Sequence, residues 1–517
     1  MKTEKQSRRE FLKSSAIGIA ALGFMSNDKS VAIAFVEPHT ELNEITVSEL
    51  QAGMKSGKFS AKMLVEKYLV RIKEIDPKLN SVIETNPDAL QIAEKMDRER
   101  KRGKVRSMMH GIPILIKDNI DTADRMKTTA GSLALVDAPV PARDAFIVQQ
   151  LRKSGAVILG KTNLSEWANF RSTKSISGWS GRGRQTNNPY ILDKNPCGSS
   201  AGSGVAISAN LAAVAVGTET NGSIICPATR SGVVGIKPTL GLISRSGIIP
   251  IAHTQDTAGP MGRTVSDAAI LLGVLVGTDK RDTTTSQSKK GKKDYTKFLD
   301  KDGLRGARIG VARQFVGNNA KQKEIFESHL EVLKTGGATL IDVTFPVDFS
   351  KLSDDRLQVL LYEFKTDLNK YLAERRSPYK TLADLIKFNE ENKEREMPLF
   401  GQELFLQSQS KGDLTEKAYT DALQKVKRAS QEQGIDAVVA KDKLDAIVSP
   451  AVGATWSTAA VAGYPYITVP AGFADGLPVG IAFFGRAFTE PQLIKIAYAF
   501  EQKTKMRQTP KFTPASA

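Results

Sequence analysis

Two serine-bearing turns and one lysine at the end of an apolar run carry the residue types from which an acyl-transfer site can be built. Gly217-Thr-Glu-Thr-Asn-Gly-Ser-Ile-Ile-Cys-Pro-Ala228 follows the apolar run Leu211–Val216. A buried strand that opens into a polar, glycine-bearing turn and then a helix puts that turn at the carboxyl edge of a sheet. Open α/β folds keep their reactive groups there, so Ser223 is a candidate nucleophile. A nucleophilic serine needs a base, and histidine is scarce: His39, His110, His253 and His329 are the whole supply. His39 lies near the amino terminus and His329 on an expected surface helix, whereas His110 and His253 read first as local hydrogen-bond donors. Lys117 is the alternative, at the end of Ile112-Pro-Ile-Leu-Ile116 and before Asp118-Asn119. A lysine at a strand end is ordinarily solvated, and with a pKa near 10.4 it is neutral in about one part in 2,500 at pH 7. Burial lowers that pKa by several units, each of about 1.4 kcal/mol, which would make it a usable base.

Another serine motif is set aside on its surroundings. Gly198-Ser-Ser-Ala-Gly202 fits G-x-S-x-G, the nucleophile elbow of α/β-hydrolases. That elbow requires an apolar strand immediately before it, but Asn187–Cys197 is polar and proline-bearing, and only His253 and His329 follow. The S-x-x-K matches at Ser286–Lys289 and Ser408–Lys411 fall in polar segments and read as chance.

The elements that must position these residues alternate between short strands and helices. Thr46 to Ile75 reads as two helical segments, with Leu64, Tyr68 and Ile72 at four-residue spacing and Ser60 as an N-cap. Gly111–Ile116 and Gly155–Gly160 are apolar runs that predict buried strands, joined by a helix around Phe146–Leu151. Gly232–Pro238, Ala446–Pro450, Tyr464–Pro470 and Leu477–Gly485 extend the pattern. Between about 282 and 443 the texture changes to a polar linker, one strand-like piece at Ala307–Val311 and then helices such as Leu357–Leu372 and Thr415–Gln431. The expectation is an α/β protein with one catalytic domain and a largely helical, substrate-shaping insertion.

Over 517 residues, 41% hydrophobic and 25% charged, the composition is that of a folded globular chain. The formal charge of +17 raises nucleic acid as a partner. The basic residues are scattered, though, with one dense cluster at Lys289–Lys293 in a Ser/Thr-rich stretch and no nucleic-acid motif, so a solvated loop is the reading and nucleic acid is not expected. Cys197 and Cys226 are too few for a cysteine framework or a cysteine-based zinc site. A single bridge between the two serine turns and two unpaired buried thiols both remain open.

Taken in order, Gly111–Asp118, Cys197-Gly-Ser-Ser-Ala-Gly-Ser203 and Gly217–Pro227 resemble the three motifs of the amidase signature family. The likeness continues through Gly232–Thr239, Asp256–Met261 and Gly476–Gly480. It implies an amidase signature fold over 43–517: a central mixed, twisted sheet covered by helices on both faces, with 282–443 as the variable insertion. Carried over residue by residue, it makes Ser223 the nucleophile, Ser199 a bridging serine after a cis peptide bond, and Lys117 the base, with Gly198 and Ser200 in support. The backbone N–H groups of Thr220, Asn221, Gly222 and Ser223 would form the oxyanion hole. The chain departs from the family's usual residues at Cys197, Ala201, Glu219, Asn221 and Ile225, the last replacing an arginine. The Gly217–Pro227 wording is most similar to the branch containing bacterial peptide amidase, which removes the C-terminal amide of peptides. The resemblance implies a peptide or small-molecule amide substrate, no cofactor or metal, and a monomer or homodimer. An amidotransferase A-type subunit and an inactive binding protein on the same fold are the alternatives; the latter would need a lost serine or lysine, and none is lost.

At the amino terminus, Ser7-Arg8-Arg9-Glu10-Phe11-Leu12-Lys13 precedes the weakly apolar Ala16–Met25, too short to span a bilayer. This resembles a twin-arginine export signal over residues 1–34, with Ala32-Ile-Ala34 as the cleavage site. It implies a periplasmic or secreted protein with no stable membrane anchor. Replacing Arg8 and Arg9 together by lysine is expected to leave the protein in the cytoplasm, as cell fractionation would read; export of the double variant would overturn this reading.

Overall fold

The computed structural model describes residues 40–514; the twin-arginine segment and His39 lie outside them. The first helices form where their caps and apolar faces dictate. Thr46 and Glu49 make a reciprocal capping box at the start of the helix Val47–Ser56. Ser60 accepts from the Met63 N–H to start the helix Ala61–Ile75, which buries Leu64, Tyr68 and Ile72 as their spacing predicts.

Eleven of the thirteen strands among the described residues make one sheet. In chain order the strands are β1 (Val82–Thr85), β2 (Pro113–Lys117), β3 (Val157–Thr162), β4 (Trp179–Ser180), β5 (Arg184–Gln185), β6 (Val214–Glu219), β7 (Val234–Lys237), β8 (Thr257–Gly262), β9 (Arg308–Val311), β10 (Thr339–Asp342), β11 (Ala446–Pro450), β12 (Tyr466–Ala474) and β13 (Leu477–Phe484). The small pair β4–β5 stands apart, and the large sheet runs β1-β3-β2-β6-β8-β7-β12-β13-β11-β9-β10. β3, β2 and β6 are parallel, as are β11, β9 and β10, and the strands between these groups are antiparallel. The sheet is therefore mixed and helices flank it, the α/β architecture that the resemblance implies. β2, β3 and β6 are buried along their whole length, which explains why they read as unbroken apolar runs instead of alternating ones. β12 and β13 form a hairpin through Asp475 and Gly476, both with positive φ, as a two-residue hairpin turn requires.

The 282–443 segment contributes to two layers. Its first part adds β9 and β10 to the sheet edge, and its helix Ala320–Thr335 sends Phe326, Leu330 and Leu333 into the sheet's core. His329, expected on the surface, is buried there with Nε2 donating to the Ala471 carbonyl and its ring edge-on to Phe500. From Ser353–Glu374 through Lys417–Ser430 the chain is helical and closes two further apolar clusters. One joins Leu361, Phe364 and Leu368 to Trp167, Phe170 and Ile251, which come from the loops above the sheet. No described helix is long and apolar enough to cross a membrane.

Candidate active site

β2 and β6 lie side by side in parallel, with Ile116 opposite Val216, so their carboxyl ends share one edge. Lys117, the last residue of β2, is wholly buried at that edge. Its Nζ lies 2.7 Å from Ser199 Oγ, 2.9 Å from Thr218 Oγ1 and 3.3 Å from the Thr218 carbonyl oxygen. Burial pushes the Lys117 amine down from its usual value to about 7, against the opposing pull of Glu219 and Asp256. In the neutral form the amine has two N–H bonds for the Thr218 oxygens and one lone pair for the Ser199 hydroxyl hydrogen.

Ser200 fastens the two serine turns together. Its N–H donates to the Ser223 carbonyl at 3.1 Å, and its Oγ donates to the Thr218 carbonyl at 3.0 Å while accepting from the Thr218 N–H at 3.1 Å. Gly217 makes that approach feasible, since a Cβ there would stand 2.8 Å from Ser200 Oγ. The Gly198–Ser199 peptide bond is cis, and the helix Ala201–Ser208, buried throughout, follows directly. Cys197 and Cys226 form a disulfide, Cα to Cα 5.8 Å, that ties the residue before Gly198 to the helix Ile225–Arg230. Of the two states left open by the sequence, the bridge is the one present.

The turn that carries Ser223 is held along its length. Thr220 Oγ1 donates to Asp256 Oδ1 at 2.6 Å, and Asp256 Oδ2 in turn accepts from the N–H groups of Ile251 and Ala252. Asn221 Oδ1 accepts from Ser457 Oγ at 2.7 Å. Gly222 has φ +83° and lies under the Trp456 indole, which a Cβ would meet at 3.0 Å, so conformation and space both require glycine. Glu219 Oε2 accepts from the N–H groups of Ile224 and Ile225 at 2.7 and 3.0 Å, which anchors the start of the helix Ile225–Arg230. Ser223 is 8% exposed, and among the described residues the N–H groups of Asn221, Gly222 and Ser223 have no hydrogen-bond partner. The structure thus gathers Lys117, Gly198, Ser199, Ser200, Thr220, Asn221, Gly222 and Ser223 in one place.

A cavity of about 480 Å³ opens over Asn119 and Thr218–Thr220, walled by residues including His253, Asp256, Tyr371 and Arg375. Thr218, Asn119, Asp256 and Trp456 are site residues that the sequence reading did not select. Asn119 donates from Nδ2 to Thr218 Oγ1 at 2.9 Å and keeps a buried, unpartnered Oδ1. Neither candidate histidine serves Ser223. His110 is buried with Nε2 donating to the Met96 carbonyl, and His253 is bound through Nδ1 to Asp367 at 2.8 Å. His253, Glu363 and Asp367 bring ligand atoms within 4.8 Å of one another, but Glu363 is already occupied by Thr254 and Tyr419, which makes the group a hydrogen-bond network.

Residues 63–459 match the amidase family. The structure is similar to native peptide amidase from Stenotrophomonas maltophilia, with a TM-score of 0.88 and 48% identity over 91% of this chain and 99% of that one. It is equally close to a peptide amidase in complex with the competitive inhibitor chymostatin, with a TM-score of 0.87 and 47% identity over 91% and 99% of the two chains. In sequence it is 46% identical to a probable amidase of Arabidopsis thaliana over 91% of this chain and 92% of that protein. The chain belongs to the amidase signature family. It is a hydrolase acting on amide C–N bonds.

Replacing Cys197 and Cys226 by serine removes the cross-link between the two turns. Closing a loop of that length stabilises by about 3–4 kcal/mol in the chain-entropy picture. The double variant is expected to unfold at lower urea concentration than the oxidised protein and to lose amidase activity on mild warming before the wild type does. Equal urea midpoints would show that packing alone holds the turns.

Proposed function

We infer that the protein hydrolyses carboxamides, foremost the C-terminal amides of peptides, through an acyl-enzyme on Ser223. The observation that carries this reading is the dry Lys117 amine 2.7 Å from Ser199 Oγ. A neutral Lys117 takes the Ser199 hydroxyl proton while Ser199 takes that of Ser223, and Ser223 Oγ attacks the amide carbon. The unpartnered N–H groups of the 221–223 turn stabilise the oxyanion, which needs donors that are already in place and not engaged elsewhere. The proton returns through Ser199 to the leaving nitrogen, ammonia departs, and water repeats the sequence on the ester to release the carboxylate.

Similarity to peptide amidases at 47–48% identity supports the peptide-amide substrate class. The resemblance of residues 1–34 to an export signal supports a periplasmic or secreted location, and a disulfide fits an oxidising compartment. The same resemblance disfavours an amidotransferase A-type role, whose tRNA substrate is cytoplasmic.

With amidated peptides as substrates and ammonia as the readout, Ser223→Ala is expected to lower kcat/KM by more than about a thousandfold while the fold persists. Retention of a hundredth of wild-type activity would place the nucleophile elsewhere. Protonated Lys117 cannot accept a proton, so kcat/KM should fall about tenfold per pH unit below an apparent pKa near 7. Lys117→Arg keeps the charge but not the basicity and should be as inactive as Lys117→Ala. A folded, active Lys117→Arg enzyme would make Lys117 a structural cation.

A further inference from the structure

The cavity above Thr218–Thr220 carries charge that amide hydrolysis does not use. The helix Ser353–Glu374 ends at its wall, and the next residue, Arg375, lines the cavity while being only 6% exposed. Arg375 Nη1 donates to the Tyr371 hydroxyl at 2.9 Å, and that hydroxyl donates to Asp121 Oδ1 at 2.8 Å. Its Nε and Nη2 are buried with no hydrogen-bond partner among the described residues. A helix C-terminus attracts cations on its own account, yet a dipole does not satisfy a buried N–H. The Nε–Nη2 edge of a guanidinium is the fork that takes both oxygens of a carboxylate in parallel bonds.

Further cations line the same cavity. Arg143, Lys370 and Arg376 line the cavity, are exposed, and have no ion-pair partner among the described residues. Of the lining carboxylates, Asp282 is held by Arg245, Asp367 by His253, Asp256 by Thr220, Asp121 by Tyr371 and Glu219 by the Ile224 and Ile225 N–H groups, which leaves Glu374 without a partner among the described residues. Burial pushes the Asp121 carboxyl up to about 6, and the Arg375 charge opposes that rise.

We propose that the cavity receives a carboxylate on the acyl part of the substrate, gripped by Nε and Nη2 of Arg375, so that the preferred substrates are amides of acidic acyl groups. The proposal rests on the amide-hydrolysing reading and sets its specificity: peptide amides with aspartate or glutamate next to the scissile bond should outcompete neutral and basic ones.

The test compares kcat/KM for N-acetyl-dipeptide amides that differ only in carrying glutamate, methionine or lysine at each of the two positions. Glutamate is expected to exceed methionine by about tenfold or more at low salt, with lysine lowest, and the ratio should shrink at high ionic strength. Arg375→Met should bring the glutamate-to-methionine ratio towards one. The exposed pair Lys370→Ala with Arg376→Ala should lower it several-fold, and this pair decides the matter if Arg375→Met does not fold. A wild-type ratio of one or less, with neutral amides turned over, overturns the proposal and leaves the amidase reading standing, as does a ratio that survives in a folded Arg375→Met enzyme. If no amide is hydrolysed, the parent reading fails and calorimetry on the intact protein decides the anion site. Tighter binding of N-acetyl-glutamate than of N-acetyl-methionine, lost in Arg375→Met, sustains it; equal or absent binding overturns it.

Discussion

An amine with no access to water must be held by protein oxygens or give up its proton, and at Lys117 both conditions shape the surroundings. Removing the charge from water accounts for a depression from the usual value to about 7, equivalent to about 5 kcal/mol against the charged form. Keeping the site dry requires β3 and β6 on either side of β2, the buried helix Ala201–Ser208 beyond Ser199, and the end of β6 folded over the amine. The carboxylates of Glu219 and Asp256 favour the charged form, and each has amide N–H groups of its own to satisfy it. The same two carboxylates hold the turn that carries Ser223, one at the start of the helix Ile225–Arg230 and one through Thr220. Lys117's environment and Ser223's position are thereby fixed by a shared set of contacts.

Strands buried on both faces announce themselves in sequence, which is why β2, β3, β6, β11 and the β12–β13 hairpin were legible there. β8 was not. Thr257-Ala-Gly-Pro-Met-Gly262 has two glycines and a proline, poor strand formers on any local scale, and lies in the sheet because β6 and β7 pair with it from both sides. β10 lacked an apolar run because it is an edge strand with exposed ends. In the site, Lys117, Ser199 and Ser223 could be read from motif order. Thr218, Asp256 and Trp456 could not, since a threonine, an aspartate and a tryptophan acquire their roles only when chain segments far apart in sequence meet. His329 shows the reverse error: a polar residue on an amphipathic helix was placed outside, yet its ring packs on Phe500 and its N–H finds a carbonyl.

The loops around the candidate site are squeezed between two packing systems. Below them is the sheet's core, and above them Phe364, Leu368 and Phe405 of the helical layer pack with Trp167, Phe170 and Ile251. The wall that carries Tyr371 and Arg375 grows out of the same long helix that supplies Phe364 and Leu368. Position of the wall and burial of the loops are therefore consequences of one helix docking.

A third apolar cluster stands further out, where Phe349, Leu352 and Val359 meet Tyr419, Ala422 and Val426 without sharing a residue with the sheet's core. Divergence within the family can use that separation. Small changes of side-chain volume in the outer cluster would tilt the long helix, and with it the cavity wall, while the dry lysine and the serine turns kept their contacts. An ancestral chain could in this way have explored new substrates by drift in its outermost layer, with each intermediate still folding and still hydrolysing amides.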